Sequence, residues 1–305
     1  LGGTIFYAAR VKDWKALEKI SVQEWLTKLS GKKTFEKMWL PLLKAKLGNA
    51  YRETNAAFIW ATIQRMYAAR NSGLKKEMFG YVRGGYSTVL KRFAEVLHEK
   101  GVEIRLNSKV LNAKSQRSKD AKIVLEYKSK TEDQKLKTNE FDKVILTCPS
   151  NIAAQICPQL TEQERLKHSS IKYQGIVCAS VLMKKSLSNF YVTNITDETP
   201  FTGIIEMSAL VDKKEFGGNA LVYLPKYVAS DDELFEKLDA EIENSFLSTL
   251  EKMYPHFKRE DVLSFKVSRV RQVFPIPTLN YSENLPSVTT SIDGVYIVNS
   301  AQITN

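Results

Sequence analysis

The stretch GYVRGGYSTVLKRFAEVLHEKGVEIRLNSKV, residues 80–110, constrains the fold more than any other part of the chain. Gly84 and Gly85 stand directly ahead of Val89, Leu90, Phe93, Val96 and Leu97, whose spacing makes one apolar side of a helix. Gly101 supplies the left-handed stop that ends it. Val102, Ile104 and Leu106 then alternate with Glu103 and Arg105, which predicts a strand. Turn, helix and strand in immediate succession point to an α/β arrangement. The glycine pair itself has two readings. It is a turn, the commoner use of such a pair, or it offers backbone amides to an anion at the positive end of the helix dipole.

The flanking regions have different periods. Residues 1–77 read as a helical layer. Ser21 and Glu24 form a capping box ahead of a first helix that Gly31 ends, Pro41 marks a kink or restart in a second, and TNAAFIWATIQRMYAAR makes a third. After residue 110, KIVLEYKS and KLKTNEF predict a hairpin, and FDKVILTCP predicts a strand buried on both faces. QGIVCASVLM, FTGIIEMSAL, NALVYLP and DVLSFKVSRVRQVFPIP predict an antiparallel sheet. Ser230 and Glu233 predict the start of a helix through Leu238, Ile242, Phe246 and Leu250. GVYIVNSA reads as a last buried strand.

Composition narrows the function classes. Forty-five Lys and Arg against thirty-four Asp and Glu give a net charge of +11, which favours acidic partners. Acidic residues interrupt nearly every basic run, however, so a nucleic-acid interface is not expected. Cys148, Cys157 and Cys178 have neither disulfide nor metal-ligand spacing, and no metal site is expected. A reducing, cytoplasmic compartment fits best, and a membrane-peripheral location is compatible with the basic balance. The chain opens without Met and stops just after a strand-like run, and is expected to be an internal piece of a longer protein.

No GxSxG elbow, HExxH helix, Walker loop or paired-cysteine site is present. The order of the pieces carries more information. The Gly-pair helix, the TCP that ends a buried strand, and DGVYIVNSA, preceded by WLPLLKAKLG and FIWATIQRM, resemble the flavin-containing amine oxidase, phytoene desaturase and protoporphyrinogen oxidase superfamily over nearly the whole chain.

That resemblance implies a partial Rossmann-like FAD domain with an inserted β-hairpin, plus a substrate domain of antiparallel sheet and helices. Residues 1–77 and 150–292 would be substrate domain; residues 78–149 and 293–305 would be FAD domain. FAD is the implied cofactor. Gly84 and Gly85 would stand beside it, the Val110 backbone would meet the adenine, and Thr147, Cys148 and Pro149 would turn the chain near the flavin. The superfamily's GxGxxG fingerprint is absent and is expected ahead of Leu1, so this piece is expected to hold flavin weakly or not at all, and to be inactive by itself. Many amine oxidases carry a Lys in the strand matching Ile176–Ala179, which has none here. A desaturase- or oxidase-type hydride transfer from an apolar or amphipathic small molecule is therefore the better expectation.

Residue by residue, Trp39, Phe58, Trp60 and Tyr67 are candidates for an apolar pocket, with ordinary core packing as the competing reading. Arg269 and Arg271 are candidates for a substrate carboxylate, with an exposed sheet face as the alternative. Cys178 reads as a small buried hydrophobe, and His168 as a solvated helix residue. Two rival functions stand beside the oxidoreductase: a non-catalytic flavoprotein-like scaffold, and a basic binding module for anionic partners. The sequence sets no oligomeric state.

Overall fold

The computed structural model describes residues 2–8, 10–68, 80–116, 122–130 and 135–304. Its strands are β1 (Ser108–Ser115), β2 (Ile123–Ser129), β3 (Leu136–Phe141), β4 (Val144–Leu146), β5 (Tyr173–Met183), β6 (Val192–Asn194), β7 (Gly203–Glu206), β8 (Ala220–Ala229), β9 (Val262–Pro275) and β10 (Val295–Ile297). Two compact units result, Leu1–Arg83 with Tyr173–Asn280, and Gly84–Lys172 with Tyr281–Thr304.

The first unit is built on a five-stranded antiparallel sheet in the order β6-β7-β8-β5-β9. Alternation along β5 turns Val177, Ala179, Val181 and Met183 to one face, fully buried. The helix Asp239–Met253 covers that face with Ile242, Phe246, Leu247 and Leu250. Phe246 meets Phe201 edge-on, with centroids 5.2 Å apart. Burying such a ring contributes about 1.5–3 kcal/mol.

A helical layer belongs to the same unit, and Phe274 of β9 packs into its core. Ser21 caps its first long helix, accepting from the Glu24 amide at 3.1 Å. A π-helical turn, Phe35–Trp39, then runs into the helix Leu40–Leu47, so Pro41 falls at a restart where its missing N–H is harmless. Layer and sheet are pinned by polar contacts: Thr202 Oγ1 donates to the Ala45 carbonyl at 2.9 Å, and Asn55 Nδ2 to the Thr278 carbonyl at 2.8 Å.

In the second unit, β1, β2 and β3 make an antiparallel sheet with a bulge between Val110 and Asn112, while β4 and β10 pair in parallel. Its core gathers Ile123, Val144, Leu146, Ala153, Cys157, Leu160, Val295 and Ile297. The helix Gly85–Glu99 forms as its pattern predicts, yet it has no buried residue.

Several expectations fail for identifiable reasons. Residues 102–106 are not a strand, and Val102, Ile104 and Leu106 are exposed. Alternation specifies a face, but a strand also needs a neighbour to bond, and none is present among the described residues. FDKVILTCP is buried on one face only, since Ile145 is 64% exposed between buried Val144 and Leu146. The helix expected from Ser230 breaks into a 3-10 turn, Glu233–Phe235, capped by Asp232, and the long helix starts at Asp239. His168 is buried, not solvated. The boundaries between the two compact units lie at 83/84, 172/173 and 280/281. Residues 150–160 join the second unit because Ala153, Cys157 and Leu160 complete its core.

Candidate active site

The first unit holds a cavity of about 620 Å³. Its described lining comes from five segments: Ile5, Trp39 of the π turn, Leu42, Leu43 and Lys46 of the next helix, six residues of the helix Ala56–Ala68, and Asn194 of β6. Each segment has a local reason to be there. The helix Ala56–Ala68 begins where Asn55 Oδ1 accepts from the Phe58 amide at 3.2 Å, and its spacing brings Phe58, Ile59, Thr62, Ile63, Arg65 and Met66 to the cavity wall. The π turn inserts a residue into the helical repeat, which re-aims Trp39.

The walls are apolar and the polar groups few. Lys46 is exposed; its Nζ donates to the Tyr227 hydroxyl at 2.7 Å and stands 4.0 Å from the centre of that ring. Arg65, also exposed, reaches Thr62 Oγ1 at 3.4 Å. Trp39 is 6% exposed, and its indole Nε1–H is shielded and has no acceptor among the described residues. No Asp, Glu, His or Cys lines the cavity among the described residues.

The residues expected on the cofactor side fall in the second unit. Gly84 and Gly85 both have positive φ, 76° and 69°, at the N-terminus of the helix Gly85–Glu99, which no side chain caps. A Cβ on Gly84 would lie 2.4 Å from Thr88 Oγ1, a hydroxyl that would have to turn away, and the left-handed φ is what favours glycine there. Val110 sits at the bulge in β1, an edge strand whose outer backbone groups are free of the sheet ladder. Thr147, Cys148 and Pro149 follow β4 and meet the chain leaving β10. Asn299 Nδ2 donates to the Cys148 carbonyl at 3.0 Å, and the Val298 amide to the Leu146 carbonyl at 2.9 Å. The carboxyl ends of parallel strands are where open α/β sheets take their ligands. Burial pushes the Cys148 thiol upward and the Cys157 thiol up to about 11, so neither offers a thiolate at neutral pH.

These features suit part of an extended dinucleotide cofactor: an uncapped, glycine-flanked helix start, an open strand edge, and a turn at the end of a parallel pair. The glycine fingerprint that cradles a pyrophosphate does not occur in the 305 residues.

Trp60, Arg269 and Arg271 are not part of the cavity's described lining. Trp60 donates its indole N–H to the Ala8 and Val11 carbonyls, at 3.0 and 3.2 Å. Arg269 pairs with Asp239 at 2.5 Å and donates to the Lys237 carbonyl, while Arg271 pairs with Glu236 and lies over the Phe235 ring. Both arginines tie the 230–239 connection to β9, and neither lines the cavity. The side chain of Tyr67 lies outside the described residues. Cys178 is half-buried on β5, with its thiol pushed up to about 11 by burial. Sequence reasoning missed Lys46, Arg65, Asn194 and Asn299. The Asn after GVYIV was a visible signal for the last, because a polar residue ending a buried strand is placed to cap the next turn, as Asn299 Oδ1 does for the Ala301 amide.

A family model described as flavin containing amine oxidoreductase matches residues 4–302. No curated protein matches the chain. Among solved structures, the chain is similar to a putative protoporphyrinogen oxidase from Exiguobacterium sp. 255-15, at TM-score 0.71 and 16% identity over 92% of this chain and 62% of that one. It is similar to an oxidoreductase from Methanosarcina mazei, at TM-score 0.66 and 18% identity over 92% and 63%. It is also similar to putrescine oxidase bound to putrescine, at TM-score 0.64 and 18% identity over 98% and 68%. These likenesses share the fold. The chain spans just over three fifths of the length of the first two, 62% and 63%.

Proposed function

Because the chain belongs to the flavin-containing amine oxidoreductase family, we propose that it acts as an FAD-dependent oxidoreductase of the oxidase or desaturase type, taking hydride from an apolar or amphipathic small molecule. The observation that carries this reading is the cavity. At about 620 Å³ it has the size of sites that enclose small organic ligands, and its walls are made mainly of Ile, Leu, Phe, Trp and Met side chains. Such walls select a substrate by shape and exclude water, while the four polar residues, Lys46, Thr62, Arg65 and Asn194, fix its orientation.

Hydride acceptance is the chemistry a bound flavin supplies. The chain's own contribution is binding and positioning. On the cofactor side that falls to the backbone at Gly84, Gly85 and Val110 and to the turn Thr147–Pro149. On the substrate side it falls to the cavity. Its described lining holds no carboxylate, imidazole or thiol, and β5 has no Lys between Ile176 and Ala179. A reaction that relies on shape and a hydride acceptor suits these residues better than one that needs a dedicated side-chain base.

The test is the visible spectrum of the purified full-length protein. An oxidised-flavin band that is bleached by substrate under anaerobic conditions supports the reading. Absence of the band, together with no flavin uptake on reconstitution, would sink it.

A further inference from the structure

We propose that the cavity of the first unit selects an amphipathic anion, with an aromatic or aliphatic body and a carboxylate head, over the corresponding amine. This rests on the cavity being a substrate site, as argued above, and names the class it takes.

Two observations converge. The charged residues of the described lining are both cationic, Lys46 and Arg65, and no described carboxylate is paired with either. Both are exposed, while Leu43, Ile63 and Trp39 of the same lining are buried.

The lining is thus rich in donors and poor in acceptors. Lys46 spends one of its three protons on Tyr227, and Arg65 one N–H on Thr62, so both retain donors for a carboxylate. An ammonium head would meet two like charges and, among the described residues, no counter-charge. Like-charge juxtaposition of this kind is how a site rejects a competitor of the same shape. The family description names amines, and these side chains point to the opposite sign.

The test uses the whole protein and three probes that share one ring system: anthracene-9-carboxylate, 9-(aminomethyl)anthracene and 9-anthracenemethanol. Binding is followed by probe fluorescence, with no turnover required. The carboxylate should bind about tenfold or more tighter than the amine, a difference of about 1.4 kcal/mol. Lys46→Gln with Arg65→Gln should bring the carboxylate to within about threefold of the alcohol. Lys44→Gln, on the same helix but not on this cavity, should leave the preference intact. Equal or tighter binding of the amine, or a preference that survives loss of both cations, overturns the proposal. Failure of all three probes to bind overturns it together with the substrate-site reading. Carboxylate preference in a protein that holds no flavin supports it and counts only against the redox reading.

Discussion

Two helices of equal length behave in opposite ways. Asp239–Met253 and Gly85–Glu99 each have fifteen residues and an apolar side at helical spacing. The first buries Ile242, Phe246, Leu247 and Leu250 against the five-stranded sheet; the second buries nothing, and Tyr86, Leu90 and Phe93 are 87%, 64% and 59% exposed. Periodicity therefore encodes that a helix forms and which side is apolar. It does not encode that a partner is present to receive that side. The undocked helix is held by its ends. Gly84 starts it in the left-handed region, and at its far end the Gly101 amide donates to the His98 carbonyl and the Val102 amide to the Leu97 carbonyl, both at 2.9 Å.

The largest expected effect lies on the docked helix. Phe246→Ala should cost about 3–5 kcal/mol, because the ring is lost from between Phe201 and Phe265 with little room for collapse. Urea unfolding read out by probes in the first unit measures it; a loss below about 1 kcal/mol would remove the contrast between the two helices. Next in size is the far end of the undocked helix. Gly101 has φ 77° and open space around its Cβ position, so Gly101→Ala isolates the backbone term. The expected cost is about 1–2 kcal/mol, visible as faster amide exchange from Val96 to Val102.

The same contrast marks what the sequence made legible. The antiparallel sheet, the β2–β3 hairpin, the Ser21 cap and the restart at Pro41 follow from local rules, and all are present. Residues 102–106 have the alternation of a strand and Ile145 sits in the apolar run of a fully buried one, yet both lack the neighbour their pattern calls for. The candidate site divides similarly. Gly84, Gly85 and the Thr147–Pro149 turn are punctuation, readable one stretch at a time. Lys46, Arg65 and Asn194 become one site only when helices and β6 are brought together, so no window of sequence contains the signal. Arg269 and Arg271 show the converse. Their alternation along β9 is real, but their partners Asp239 and Glu236 come from a connection that spacing does not locate.

A smaller effect comes from the docked part of the second unit. His168 is buried, its Nδ1 has no partner among the described residues, and burial holds its imidazole below the ordinary value of 6.5, against a weaker opposing pull from Glu164. The folded state therefore binds its proton later than the unfolded state as pH falls. The stability that follows is full above pH 6.5 and is lost progressively as pH drops from there towards the folded value. His168→Gln cannot take up that proton, and its stability should vary less between neutral and mildly acidic pH. Denaturation of wild type and variant at both ends of that range measures the difference, and parallel profiles would count against the buried neutral histidine.

The smallest effect is the sharpest for the comparison. Phe93 lies mid-helix in Gly85–Glu99 and is 59% exposed, so Phe93→Ser removes apolar surface that water already covers. Substitutions at such sites change stability by about 0.5 kcal/mol or less. Phe93→Ser also lowers the apolar area of a patch shared with Tyr86, Val89 and Leu90, all exposed, and patches of this kind drive self-association. The expected outcome is unfolding at an unchanged denaturant midpoint with less aggregation on concentration, measured by light scattering. A loss of 2 kcal/mol or more, on the scale of a buried ring, would mean that this face is covered in solution. The two helices would then differ only in which part of the protein covers them.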